Sequence, residues 1–102
     1  MSVKERIEDI LTKNKVVLFM KGTKQFPQCG FSARACAILQ DMDLEFFDVN
    51  ILEDEEIRQG IKEYGNWPTI PQLYINKQLV GGSDIMMEMY QTGELQGLVK
   101  NI

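Results

Sequence analysis

Hydrophobic and polar positions change their period several times along the chain, and each change marks an element. Val3, Ile7, Ile10 and Leu11 recur at helical spacing behind Ser2 and Glu5, which read as a capping box. "KVVLFM" is a nearly continuous apolar run, as expected of a strand covered on both faces. The polar stretch "KGTKQFPQ", broken by Gly22 and Pro27, reads as a loop. Phe31, Ala35, Ile38, Leu39 and Met42 then fall on one stripe of a helix ending near Met42. "LEFFDV" alternates as a second strand. "EDEE" puts acids at the start of a third helix, continued by Ile57, Ile61 and Tyr64 and closed by Gly65. "IPQLYI" and "QLVGG" predict two short strands joined at "NK" by a tight hairpin. Ser83 or Asp84 is expected to cap a helix carrying Ile85, Met86, Met89 and Tyr90. Gly93 stops that helix, and Leu95, Leu98 and Val99 suggest a last short one.

This order predicts an α/β fold: a four-stranded mixed sheet flanked by helices on both faces. Strands separated by helices call for parallel pairing, and the closing hairpin adds an antiparallel pair. With 102 residues, no internal repeat and no linker, residues 1–102 are expected to form one domain.

Composition narrows the function. A net charge of -4, from 11 basic and 15 acidic residues, works against binding a phosphate backbone, so no nucleic-acid partner is expected. "VVLFM" is too short to span a bilayer, so no membrane is expected either. The chain opens on a helix signal without a basic, apolar leader, which makes a reducing, cytoplasmic compartment the default expectation. Two cysteines and no histidine remove the Cys-His dyad and the commonest metal ligand. Chemistry then rests on thiolate, carboxylate, amine or backbone groups.

Cys29 lies where the loop meets the second helix, in "CGFS". Free backbone N–H groups and the helix dipole there favour a thiolate, and Lys21 at the end of the first strand adds a positive charge. Redox proteins often carry a second cysteine three residues on, but here that place holds Ser32. Cys36 cannot replace it, because seven helical residues separate the sulfurs by about 10 Å of rise, beyond disulfide reach. Cys36 reads as packing.

Three further features admit two readings each. In "GNWPTIPQLYI", Pro68 and Pro71 either fix an ordinary loop or, with a cis bond, turn the backbone of Ile70 outward to pair with an extended peptide. In "VGGSDI", the helix start either caps itself or holds a carboxylate on its N–H groups. Arg58 and Lys62, four apart, form a solvated surface pair or a cationic face.

Taken in order and spacing, "KG", "CGFS", "WPTIPQLYI" and "GGSD" resemble the monothiol glutaredoxins of the CGFS type over essentially the whole chain. The resemblance implies a thioredoxin-like fold and a glutathione site. On it, Cys29 is the catalytic thiol and faces the glutathione sulfur, while Lys21 and Arg58 hold the glycine carboxylate. Ile70, before a cis Pro71, pairs with the cysteine backbone. Ser83 and Asp84 take the γ-glutamyl end, with Phe31 and Gly82 beside these groups in the same motifs. Many family members have cysteine where this chain has Ser83, so an internal disulfide from Cys29 to that position is not expected.

The resemblance further implies a [2Fe-2S] cluster with Cys29 as the metal ligand. Such a cluster takes four thiolates; two protomers and two glutathiones would supply them, giving a cluster-bridged homodimer able to pass the cluster on. Iron-sulfur cluster biogenesis and redox homeostasis are the implied roles, with apo iron-sulfur recipients and BolA-like proteins as partners. The alternative is a glutathione-dependent thiol-disulfide oxidoreductase that deglutathionylates through Cys29 alone. Enzymatic activity of that kind is implied to be weak.

Overall fold

The computed structural model describes residues Met1–Lys100 and Ile102. Among the described residues, five helices and four strands follow one another as α1 (Val3–Lys13), β1 (Val16–Met20), α2 (Gly30–Asp41), β2 (Phe47–Asn50), α3 (Glu55–Tyr64), β3 (Gln72–Ile75), β4 (Gln78–Gly81), α4 (Ser83–Thr92) and α5 (Glu94–Val99). The strands form one sheet in the order β2-β1-β3-β4.

Local chemistry accounts for most of these boundaries. The Ser2 hydroxyl and the Glu5 side chain close a reciprocal capping box on α1. Asp54 caps α3 through the Ile57 N–H. Asn76 and Lys77 both take positive φ, 50° and 70°, which is what a two-residue hairpin turn of the primed type needs. Gly93, at φ 87°, supplies the left-handed residue that ends α4.

Strand β1 is buried along its whole length, and its alternation divides the core. Val16, Leu18 and Met20 face α2, α4 and α5 in a cluster with Ala35, Leu39, Met86 and Leu95. Val17 and Phe19 face α1 and α3 in a cluster with Ile7, Ile57, Ile61 and Tyr74. Helices therefore cover both faces, as expected. On the second face a Cβ at Gly60 would lie 2.2 Å from a methyl of Val3, so α1 and α3 pack at glycine distance. The Arg6–Asp54 ion pair ties the same two helices.

Three expectations need correction. The stripe of α2 starts at Ser32, which is fully buried, and Phe31 is 55% exposed. Both positions lie one turn before Ala35, and the inner one goes to Ser32 because its hydroxyl accepts the Lys21 N–H at 3.0 Å. Helix α4 is capped by Gly82, with no side-chain cap bond from Ser83 or Asp84, which are its first two helical residues. Lastly, β1 pairs in parallel with β2, but β3 runs antiparallel to β1 although a helix precedes it. Gln72 sits opposite Phe19, so α3 and its following loop do not return the chain to the start of the sheet as a parallel crossover would. In consequence the ends of β1 and β4 and the start of β3 meet at one edge.

Candidate functional site

The segment Lys21–Cys29 leaves β1 at that edge and is held tightly. Gly22 adopts φ +93°, and a Cβ there would lie 2.5 Å from the Phe26 carbonyl oxygen and 2.7 Å from the Gln28 nitrogen. Gly22 N–H donates to Asn50 Oδ1 and Lys24 N–H to Asp48 Oδ2, each at 2.9 Å, so β2 fixes the loop from the side. Gln28 N–H returns to the Lys21 carbonyl at 2.9 Å, and the chain enters α2 at Cys29.

Cys29 is the N-cap of α2, with extended backbone and partial exposure. Its thiol is held below the ordinary cysteine value. The backbone N–H of Ser32 is the main cause, the Phe31 N–H and the Lys21 charge assist, and partial burial opposes them. The Ser32 hydroxyl adds a small push in the same direction. Ser32, the residue in place of a second cysteine, thus serves the first one twice: it anchors Lys21 and supports the thiolate.

Cys36 has the opposite environment. It is buried with its sulfur 3.4 Å from that of Met20, and burial, with Asp48 nearby, pushes its thiol up to about 11. It packs the core, as its sequence position suggested.

A cleft of about 450 Å³ opens beside Cys29. On the thiol side it is lined by Lys21, Cys29 and Phe31, and on the α3 side by Arg58. Ile70 and Pro71 form the facing wall, and Gly82, Ser83 and Asp84 close the end where α4 begins. Every residue that the sequence singled out for binding therefore borders one cavity.

The wall has free backbone. The Ile70–Pro71 peptide bond is cis. Among the described residues, Ile70 makes no backbone hydrogen bond, so an edge of peptide faces the cleft. At the far end the first N–H groups of α4 follow Gly82, where a side chain would come within 3.3 Å of the Pro71 carbonyl oxygen.

Charge is distributed unevenly. Lys21, Arg58 and Lys62 bring positive charge to the lining, while Asp84 stands at the start of α4 with its carboxylate 3.6 Å from the Arg34 guanidinium of α2. Arg58 Nε and Trp67 Nε1 are buried without a partner among the described residues. The arrangement can hold an extended zwitterionic peptide: anion at the cationic side chains, backbone against Ile70, and a second polar end at α4.

Beyond the residues singled out for binding, Lys62, Trp67, Pro68, Thr69 and Ile85 also line the cleft. Lys62 carried a usable signal, one helical turn beyond Arg58 on the same face. Trp67 and Thr69 lie within the quoted "WPTIP" and were legible as part of its wall. Arg34 carried none, because its link to Asp84 depends on how α2 and α4 pack.

The family described as glutaredoxin matches residues 16–80 of the chain. A protein of Synechocystis sp. named as a monothiol glutaredoxin is 58% identical over 97 residues, covering 95% of this chain and 91% of that one. The chloroplastic monothiol glutaredoxin-S14 of Arabidopsis thaliana is 55% identical over 94 residues, covering 92% of this chain and 54% of that one. The solution structure of reduced poplar apo GrxS14 superimposes with a TM-score of 0.86 at 54% identity, covering 96% of this chain and 90% of that one. The fold is accordingly thioredoxin-like, of the glutaredoxin kind, and the chain belongs to the monothiol glutaredoxins.

Proposed function

We propose that the cleft binds glutathione and that the protein carries a [2Fe-2S] cluster as cargo, shared between two protomers. The observation that carries this reading is a single accessible thiol, biased toward thiolate, in a cleft whose other walls suit a tripeptide. Lys21 and Arg58, joined by Lys62, meet the glycine carboxylate; the Ile70 edge pairs with the cysteinyl backbone. Gly82, Ser83 and Asp84 receive the γ-glutamyl end, the N–H groups taking its carboxylate and Asp84 its ammonium. Phe31 and Pro71 flank the sulfur.

Ligand counting supports the cluster. Among the described residues no three His, Cys, Asp or Glu side chains are grouped to hold a metal. Each chain offers only Cys29, since Cys36 is buried and protonated at neutral pH. Two chains and two glutathiones would make up the four thiolates. Because half the ligands exchange with solution, the cluster can move to an apo recipient, and BolA-like proteins are proposed as partners on the family likeness.

Anaerobic reconstitution with iron, sulfide and glutathione tests the reading. A brown protein whose visible absorbance disappears when glutathione is omitted is expected. A colourless product under both conditions contradicts it.

The depressed Cys29 thiol favours a second activity. The thiolate attacks the glutathione sulfur of a protein mixed disulfide and releases the protein thiolate; a second glutathione thiolate then attacks Cys29–SG, forming glutathione disulfide and restoring Cys29. A Cys29→Ser variant should abolish turnover of a glutathionylated substrate, and equal rates in both proteins would exclude this route. Both activities suit a reducing compartment, the cytoplasm or an organelle such as that in the Arabidopsis relative's name.

A further inference from the structure

The cleft wall hangs on a side chain that never reaches the cleft. Gln72 is fully buried. Its Nε2 donates to the carbonyl oxygens of Trp67 at 3.0 Å and Thr69 at 3.2 Å, and its Oε1 accepts from the Tyr74 hydroxyl at 3.1 Å. Burial, with Tyr64 close by, pushes Tyr74 up to about 12, so its hydroxyl remains a donor at neutral pH. Gly65 makes the room, for a Cβ there would lie 2.3 Å from Tyr74 Oη and 3.2 Å from Gln72 Oε1.

Ile70 packs on the second core cluster and Pro71 is buried, but hydrogen bonds that fix the wall's backbone are few. Trp67 N–H donates to the Lys62 carbonyl at 3.0 Å, and β3 pairing begins at Gln72. Between them, among the described residues, no backbone-to-backbone hydrogen bond restrains residues 68–71. The two bonds from the Gln72 amide fix this segment against the core.

We infer that Gln72, itself oriented by Tyr74, is the positioning residue of the peptide-binding wall: its amide sets where Trp67 and Thr69 lie and so where the Ile70 edge meets glutathione. The inference rests on the glutathione reading above. Neither side chain touches the ligand or the thiol, so the pair acts on affinity and leaves the reactivity of Cys29 to the other side of the cleft.

Two variants test it. Gln72→Met keeps length and volume without the donors, and Tyr74→Phe keeps the ring packed edge-on against Phe19. Glutathione binding by calorimetry is expected to weaken about tenfold in the first and about threefold in the second, the scale of one net hydrogen bond or less. Trp67, the chain's one tryptophan, reports the wall directly: its quenching by acrylamide should rise in both. The pH profile of Cys29 alkylation should not move, which a general loss of structure would not spare.

A folded Gln72→Met protein with glutathione affinity within about twofold of wild type overturns the inference, whatever the quenching. Weakened binding with unchanged quenching overturns the route through the wall. If Gln72→Met does not fold, Tyr74→Phe decides by the same two readouts. Wild-type protein that binds no glutathione removes the glutathione reading and this inference together; wild-type binding that the variants retain removes the inference alone.

Discussion

The two sides of the cleft are built on opposite plans. On the thiol side, the loop from Lys21 to Cys29 closes its backbone on itself and on β2, through Gly22, Asn50 and Asp48. Its electrostatics then converge on one sulfur. The wall side leaves the Ile70 backbone unpaired among the described residues and is hydrogen-bonded to the core through the Gln72 amide. The difference separates two tasks: the first side sets the reactivity of a thiol, and the second offers hydrogen-bonding groups to something extended. Substitutions should therefore sort into those that change reaction at sulfur and those that change affinity.

The largest effect is expected at Cys29. In Cys29→Ser the remaining thiol is Cys36, buried and pushed up to about 11, so alkylation at neutral pH should fall by roughly two orders of magnitude or more. A fast residual reaction would place a second reactive thiol in the chain and break the comparison.

Lys21 and Arg58 come next. Each removal should weaken glutathione about tenfold, as for a lost charge-assisted bond, but only Lys21 also acts on the Cys29 thiol. The Cys29 thiol is depressed, so its thiolate persists above a value lower than that of an ordinary thiol and reactivity is lost as pH falls through it. Lys21→Ala should move that inflection upward; Arg58→Ala should leave it in place. Alkylation rates across pH distinguish them, and an equal shift in both would merge the two sides.

Gly65→Ala strikes the support of the wall. Its Cβ meets the Tyr74 hydroxyl, and a loss of about 1–3 kcal/mol of stability is expected in denaturant unfolding, with unchanged Cys29 alkylation in the folded protein. The smallest effect belongs to Arg34→Ala. Its exposed pair with Asp84 should alter glutathione affinity by about twofold or less, as calorimetry would show.

How much of this could be read from the residues depends on how local the cause is. The capping box of α1, the two-sided burial of β1 and the Gly93 stop follow from near neighbours, and all are present. The exposed Phe31 was not legible, because Ser32 wins the inner position through a bond to Lys21, eleven residues away. Nor was the direction of β3, which depends on where α3 delivers the chain. The cleft was more legible than the fold details: apart from Arg58 on α3, the residues singled out for binding lie in contiguous motifs, and all of them line one cavity. What the motifs hid was their support, since Gln72 and Tyr74 look like ordinary strand residues until the wall is seen hanging from them.

On the proposed function, one thiol per chain, completed by glutathione, forms the ligand set of a shared cluster. Native mass spectrometry of the anaerobically reconstituted protein tests it most directly. A species of two chains, two glutathiones and one [2Fe-2S] cluster is expected, which Cys29→Ser does not form. A cluster held by a single chain, or by two chains without glutathione, would contradict it.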